Sequence, residues 1–197
     1  MNEVYNNEEY IEVLREKLTP ARFEHSLCVA KSARKLALKY GADAEKAYTA
    51  GLVHDVMKNE TPAVQLKIIK DADIILNCAE RLNPKLWHAI SGSVYIQKQF
   101  GIEDEDIINA VRYHTTARAD MGLLEKVLYI ADFISADRTY EGVELMRQAA
   151  EKSLDEAITE GLRFSIEELA HNGFAIHPDS VEAYNEMLLK NFENKNG

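Results

Sequence analysis

The sequence is poor in cysteine, proline and glycine, with two, four and nine of them in 197 residues. The two cysteines, Cys28 and Cys78, do not have the spacing of a cysteine metal site. Both lie among apolar neighbours, which predicts buried free thiols. Strand-like alternation is scarce, and no repeat, low-complexity tract or flexible linker is visible. A sheet-rich fold is therefore not expected.

Long apolar runs and an excess of positive charge are also missing. The longest apolar runs are too short to cross a bilayer, and the acidic, polar start from Met1 to Glu9 does not resemble a signal peptide. The formal net charge is -10, with no visible basic patch. These features predict a cytoplasmic protein that binds neither membrane nor nucleic acid. A phosphorylated substrate is compatible with them if metal ions and a few local Arg or Lys side chains reverse the local field.

Helical signals dominate what the chain does contain. Thr19-Pro20 and Thr61-Pro62 each predict an N-cap followed by proline at the first helical position, and Gly41 predicts a helix end. We expect an all-α bundle in one domain, because a chain of 197 residues can bury a single sizeable core. The predicted helices lie near 7–17, 20–40, 43–58, 62–71, 85–99, 103–114, 122–135, 143–151, 153–170 and 179–193.

The most informative feature is the adjacent pair His54 and Asp55. It places a neutral nitrogen ligand beside an anionic oxygen ligand, and this pair alone cannot fill the coordination sphere of a metal. The pair therefore predicts partners from elsewhere in the fold. Apolar positions of other predicted helices offer them, at His25, His88, His114 and Asp132.

The predicted helix over 43–58 places small residues on the face that carries His54. Small side chains would let a second helix approach closely, with His54 in the junction and a cation one turn further on. This face comprises Ala47, Ala50, Gly51, His54 and Lys58.

Two charged residues near the candidate ligands have alternative interpretations. Asp132 lies within the apolar segment 127–134, where an ionised carboxylate needs a metal, a core arginine or a helix cap as its partner. Arg22 precedes His25 by three residues and shares its helix face, which suits a phosphate clamp. Arg22 could instead pair with Glu24 or another surface acid.

The remaining histidines have different surroundings. His114 ends a predicted helix and is followed by Thr115-Thr116-Ala117-Arg118, whose hydroxyls and guanidinium suit phosphate oxygens. His88 shares a face with the small residues Ser91 and Gly92. A lone histidine on an apolar face is usually a core residue, but four of them with two aspartates favour a common pocket. By contrast, the surroundings of His171 and His177 predict polar loops.

These residues stand in motifs that resemble, in the same order, the YqeK family of HD-domain metal-dependent phosphohydrolases. The resemblance runs from about residue 8 to about residue 190. Members of that family are symmetrical bis(5'-nucleosyl)-tetraphosphatases, which cut diadenosine tetraphosphate to two ADP. The motifs are Arg22-Phe23-Glu24-His25, His54-Asp55-Val56-Met57-Lys58, Leu86-Trp87-His88-Ala89, His114-Thr115-Thr116-Ala117-Arg118 and Ala131-Asp132-Phe133-Ile134.

The resemblance implies a compact HD-domain helical bundle over residues 1–197, with a core at about 18–140 and C-terminal helices at about 143–193 packed on it. It implies catalytic roles for His88, His114 and Lys58, with a second metal as the alternative for the two histidines. It is compatible with a homodimer. The implied metal ligands are His25, His54, Asp55 and Asp132. The implied substrate contacts are Arg22, Lys58, His88, His114, Thr115 and Arg138, with Ala175 and Ile176 near the base.

The chain departs from the family pattern at two loop positions. The pattern has glycine where this chain has Ala117, and proline where it has Glu141. These departures affect the details of phosphate and nucleoside contacts more than the metal site.

The resemblance implies a divalent or trivalent transition metal, with iron as the expected ion. By ligand type alone, two histidines and two carboxylates suit manganese or another such metal equally well. Such an ion would lower the pKa of a bound water, which could then attack phosphorus. Two alternatives stay open. One is a broader HD nucleotidase or phosphatase that acts on mononucleotides, and the other is a nucleotide-sensing binding module.

Overall fold

The structure is a computed structural model that describes residues 5–196, apart from the side chains of residues 191 and 193–196. Within this range the chain forms eleven α-helices and no strand, as the sequence predicts. The helices are α1 (Asn7–Lys17), α2 (Pro20–Tyr40), α3 (Ala44–Val53), α4 (Pro62–Asp71), α5 (Cys78–Leu82), α6 (Trp87–Phe100), α7 (Glu105–Tyr113), α8 (Leu123–Ile134), α9 (Val143–Lys152), α10 (Leu154–His171) and α11 (Pro178–Asn196).

The predicted helix boundaries at α2 and α4 are confirmed by their capping bonds. The Thr19 hydroxyl accepts from the backbone N–H of Arg22, and Pro20 occupies the first turn. Thr61 and Pro62 repeat the arrangement in α4. Gly41 ends α2 with a φ of 81°, a left-handed conformation that glycine adopts at little cost.

The structure differs from the sequence predictions at three points. The helix predicted over 43–58 ends at Val53, and residues 54–59 form tight turns instead. The short helix α5, with the 3₁₀ turn Pro84–Leu86 that follows it, was not predicted. Cys78 begins α5 on the surface and is exposed, whereas Cys28 is half-buried, so neither thiol is buried as expected.

The close contact between α2 and α3 sets the centre of the bundle. A Cβ atom added to Gly51 would lie 2.7 Å from the Cα of Ala30. Because real Cβ atoms do not approach backbone so closely, only glycine allows α3 to sit this near to α2. The predicted small-residue face of α3 is therefore confirmed at Gly51.

Helix α2 also packs against α8, and α7 lies between α6 and α8. Helices α9 and α10 pack against α8, and α11 against α10. One hydrophobic cluster extends from Tyr10 to Met187 through these elements. The division into a core at 18–140 and added C-terminal helices stays a prediction. Among the described residues, no helix is long and apolar enough to cross a membrane.

Candidate metal centre

Five helices deliver side chains to one point of the bundle interior. The elements are the second turn of α2, the ends of α3 and α7, the start of α6 and the last turn of α8. The four histidines are at most 4% exposed and Asp55 is 2% exposed, while the side chain of Asp132 is 19% exposed. We call this set the ligand cluster: His25, His54, Asp55, His88, His114 and Asp132.

Backbone carbonyls orient three of the imidazoles. In each case Nδ1 lies within hydrogen-bond distance of the carbonyl oxygen three residues earlier in the chain. A carbonyl can only accept, so Nδ1 carries the proton and Nε2 of the neutral ring keeps its lone pair. The pairs are His54 with Gly51 at 2.7 Å, His88 with Lys85 at 2.7 Å and His114 with Val111 at 2.8 Å.

The Nε2 atoms converge on Asp55. The two Nε2 atoms of His88 and His114 are 3.2 Å apart. They lie 3.2 and 3.6 Å, respectively, from Asp55 Oδ1. Lone pairs and a carboxylate oxygen at such distances repel one another unless a cation lies among them. Lys58 supplies part of that charge, because its Nζ donates to His88 Nε2 at 3.1 Å.

Three buried atoms of the ligand cluster have no hydrogen-bond partner among the described residues: His25 Nε2, His54 Nε2 and Asp55 Oδ1. An unsatisfied buried polar atom is costly, and each such atom in a native structure calls for an explanation. These atoms are of the types that bind transition metals. Each of the three residues also offers a ligand atom within 4.8 Å of those of the other two. The residues therefore fit a metal ion.

Burial and charge set the ionisation of the cluster. Burial lowers the pKa of His88, and it lowers the pKa of His114 to about 4, so both rings are neutral at neutral pH. Burial also acts to lower the pKa of His54, but Asp55 and Asp132 outweigh it and raise that pKa. Burial acts to raise the pKa of Asp55, but the charge of His54 outweighs it and holds that pKa well below its usual range. His88 and His114 thus offer neutral nitrogens beside an ionised carboxylate.

Three cations form a rim around the cluster. Arg22 Nη1 donates to Asp55 Oδ2 at 2.9 Å, so it pairs with the site rather than with Glu24. Arg138 donates to the Asp132 carboxylate and, through Nε, to the Asp132 carbonyl at 2.9 Å. These side chains and Lys58 are 29–34% exposed. The chain as a whole has a net charge of -10, but this cationic rim concentrates positive charge around the cluster, as binding of a phosphorylated substrate requires.

A cavity of about 300 Å³ adjoins the cluster. One wall is Thr115, which follows His114 directly and whose buried Oγ1 has no hydrogen-bond partner. The opposite wall is the loop at 172–177, where Phe174 is 56% exposed and packs near the ammonium of Lys85. Because Lys85 also supplies the carbonyl that orients His88, the cavity and the cluster share structural elements.

The cavity wall rests on a buried polar network that the sequence did not predict. His177 is 3% exposed, not part of a polar surface loop, and its Nε2 lies 2.9 Å from Asn77 Nδ2. Glu80 Oε1 lies 3.5 Å from the same nitrogen and accepts from Arg112 at 2.7 Å. The Asn-x-x-Glu spacing at 77–80 is that of a capping box, so the start of α5 could have been predicted from the sequence. The contact of these residues with His177 could not.

Comparison with known proteins agrees with this geometry. Residues 22–137 match the HD-domain family. The symmetrical bis(5'-nucleosyl)-tetraphosphatase of Bacillus subtilis (strain 168) is 36% identical, over 93% of this chain and 98% of its own length. The protein of the same name from Halalkalibacterium halodurans is 35% identical, over 94% and 98%. A predicted HD superfamily hydrolase involved in NAD metabolism from Clostridium acetobutylicum is 34% identical in its crystal structure, with a TM-score of 0.92 over 95% of this chain and 100% of that chain.

The chain belongs to the HD-domain family. Within that family it belongs with the symmetrical bis(5'-nucleosyl)-tetraphosphatases, and the resemblance read from its motifs is confirmed. The compact HD-domain bundle expected from the sequence is confirmed as well.

In this HD-domain protein, the six predicted ligand-type residues lie together, and the cationic rim comes from the predicted Arg22, Lys58 and Arg138. Thr115 and Ala175 line the cavity. Ile176 is half-buried and is not among the described residues that line it. The individual roles assigned to these residues remain predictions.

The turn after His114 does not present Arg118 to the phosphate site, as the sequence had suggested. Arg118 forms a two-pronged ion pair with Glu125 at 2.6 and 2.8 Å and so does not face the cluster. Ala117 has a φ of 55°, in the left-handed region. This conformation would suit the glycine that the resemblance leads us to expect at this position.

Proposed function

We propose that the protein is a metal-dependent phosphohydrolase that cleaves diadenosine tetraphosphate symmetrically to two ADP. The single observation that carries the proposal is the set of three partnerless buried ligand atoms, on His25, His54 and Asp55, inside the cationic rim. The family relationship supports the substrate, because relatives at 31–36% identity carry that enzyme name.

The metal would be held by His25, His54, Asp55 and Asp132, with iron as our first expectation and manganese as the alternative. When bound, it would act as a Lewis acid and lower the pKa of a coordinated water. A second ion is compatible with the cluster, because Asp55, His88 and His114 form a further group with ligand atoms within 4.8 Å. Asp55 belongs to both groups and would serve as a ligand in either.

The protein's own residues would bind and orient the phosphate chain. Arg22, Lys58 and Arg138 would neutralise phosphate oxygens at the mouth of the cluster. The hydroxyl of Thr115, which has no partner, would donate to a phosphate oxygen. His88 and His114 are neutral and buried, so they would act as ligands or would hold a proton near the leaving oxygen.

The cavity would hold one nucleoside. It adjoins the cluster through Thr115, and its volume of about 300 Å³ is at the lower end of the range for small-molecule sites. A nucleoside bound there, with its two phosphates extending to the cluster, would place the central bridge of the tetraphosphate at the metal. ADP would then be the product on both sides.

The test combines elemental analysis of freshly purified protein with one product chromatogram. Diadenosine tetraphosphate should yield ADP alone, whereas AMP with ATP would contradict the symmetrical reaction. Preferred turnover of mononucleotides would favour the broader nucleotidase, and binding without turnover in added iron or manganese would favour the sensor.

A substitution at the metal centre tests the same proposal at residue level. We expect His54→Ala to lose the metal and to lower hydrolysis to background, because His54 belongs to two of the three ligand groups. The helical content should stay close to that of the wild type in circular dichroism. Wild-type turnover by the metal-free variant would sink the proposal.

The cytoplasmic location and the homodimer are also proposals. Cell fractionation tests the first, and light scattering of the purified protein tests the second. A net charge of -10 and the absence of a membrane-spanning helix among the described residues support the first.

A further inference from the structure

His25 differs from the other three histidines in what orients its ring. His54 and His114 directly follow the last residues of α3 and α7, where the final carbonyls of a helix have no intrahelical partner. His88 is the second residue of α6 and takes its orientation from a carbonyl of the preceding 3₁₀ turn. His25 lies inside α2, where the carbonyls are engaged in the helix. Its Nδ1 instead lies 2.7 Å from a carboxylate oxygen, Asp137 Oδ2.

Asp137 comes from the same short segment as Asp132. The last turn of α8 places Asp132 Oδ1 3.0 Å from His25 Nε2, and the turn that follows places Asp137 against the opposite nitrogen of the ring. Two carboxylates five residues apart therefore bracket one imidazole. Only the Nε2 side of the ring faces the ligand cluster. Asp132 therefore lies among the ligands, whereas Asp137 lies behind the ring.

Other residues hold Asp137 in place. Arg147 of α9 donates to the carbonyls of Ile134, Ser135 and Arg138 at 2.9–3.1 Å, which anchors the segment on both sides of Asp137. The Ser135 hydroxyl, in the same turn, donates to the carbonyl of Asp132 at 3.4 Å. The side chain of Asp137 is 32% exposed, so this anchoring is what keeps it on His25.

We propose that Asp137 is a positioning residue for the metal ligand His25. As a pure acceptor when ionised, it holds the proton on Nδ1 and leaves the Nε2 lone pair free for the ion. A carboxylate is a stronger acceptor than a carbonyl, so it also makes the imidazole more electron-rich. Among the four histidines, His25 is thus the nitrogen donor with a charged outer partner. The inference rests on the metal centre of the proposed function.

The experiment measures metal binding without any nucleotide. Metal-free protein is titrated with Co²⁺, with the dissociation constant from calorimetry and the ligand field from the visible spectrum. Removing an outer partner of a metal-bound histidine costs roughly 10–100-fold in metal affinity. We expect Asp137→Asn near the lower end, because its amide oxygen can still accept from Nδ1, and Asp137→Ala near the upper end. Excess Co²⁺ should restore turnover to both variants.

The matched control is Asp71→Asn, the same chemical change at an exposed carboxylate that pairs with Lys67. It should leave the affinity for Co²⁺ and the spectrum unchanged. If Asp137→Ala fails to fold by circular dichroism, Asp137→Asn, which is nearly the same shape, decides the matter alone.

Wild-type affinity and spectrum in the Asp137 variants would overturn the inference and leave the proposed function standing. Lost turnover with unchanged Co²⁺ binding would also overturn it, because Asp137 would then act on the substrate. A wild-type protein that binds no Co²⁺, Mn²⁺ or Fe²⁺ would overturn both proposals together.

Discussion

The ligand cluster and the adjoining cavity share the turn that follows α7, where His114 belongs to the first and Thr115 to the second, but different parts of the chain shape them. In the cluster, backbone contacts decide the positions: Gly51 brings α3 onto α2, and carbonyls orient three imidazoles. In the cavity, side chains and an exposed loop form the wall, and Phe174 is 56% exposed. The comparison teaches that the cluster should tolerate almost no change in helix placement, whereas the cavity should accept changes that alter only substrate binding.

The largest expected effect comes from moving the helices that carry the cluster. Gly51→Ala would place a methyl group 2.7 Å from the backbone of α2, which cannot rotate away. We expect a loss of about 3 kcal/mol in the free energy of unfolding, at the upper end of typical overpacking costs. Metal retention should fall with it, because His54 moves with α3. Urea denaturation and elemental analysis measure both.

Gly92→Ala is the matched control. Gly92 is also a buried helical glycine, but an added Cβ would meet its neighbours at 3.7 Å or more, which is ordinary contact. Alanine should therefore stabilise α6 by up to about 1 kcal/mol through helix propensity. Equal destabilisation by both substitutions would show that close helix contact is not what distinguishes Gly51.

An intermediate effect is expected at the support of the cavity wall. Glu80 is buried and accepts from Arg112. Glu80→Gln should cost about 2 kcal/mol at pH 7, the scale of a hydrogen bond to a charged group. The KM for diadenosine tetraphosphate should rise, since His177 would lose the negative charge beside it, while metal content stays unchanged.

The pH dependence of that cost has a definite sign. Burial acts to raise the pKa of Glu80, but the Asn77 backbone N–H and Arg112 outweigh it and lower the pKa. A carboxylate with a lowered folded-state pKa stabilises the fold above its ordinary pKa and loses that contribution as the pH falls through the folded-state value. The difference between wild type and Glu80→Gln should thus be full at pH 7 and smaller at pH 3. A difference that grows towards acid would contradict this assignment.

The smallest effect should come from the cavity surface itself. Phe174→Ala removes an exposed ring from the loop wall, and stacking of a base on an aromatic ring contributes about 1–3 kcal/mol. We expect KM to rise about tenfold, which is about 1.4 kcal/mol, with kcat and metal content unchanged. Leu189→Ala, an exposed apolar residue of α11 outside the cavity, should leave KM unchanged. A lower kcat in Phe174→Ala would contradict the view that the cavity affects substrate binding alone.

The parts of the molecule that the sequence predicts well have local causes. Thr19, Pro20 and Gly41 define α2 by capping chemistry, which acts over a few residues. The adjacent His54-Asp55 pair and the apolar surroundings of Asp132 identify ligand types without any knowledge of the fold. Helical periodicity predicted an all-α bundle, and the resemblance of the ordered motifs then identified it as an HD domain.

The parts that were missed depend on contacts between distant residues. Helix α3 ends at Val53, although no proline or glycine follows in residues 54–58 to signal it. Asp137 occupies a polar turn, and its contact with His25 spans 112 positions. His177 is buried by Asn77, 100 positions away. Such pairs cannot be inferred from helical periodicity.

The early end of α3 links local unfolding to metal release. His54 receives its orientation from the carbonyl of Gly51, which belongs to the last turn of that helix, and His114 depends in the same way on Val111 in α7. Fraying of either turn would swing an imidazole out of the ligand cluster while the rest of the bundle stays folded. Conversely, an ion bound by these rings would hold the last turns of α3 and α7 in place. These two turns should then exchange their amide hydrogens more slowly in the metal-bound protein than in the metal-free protein.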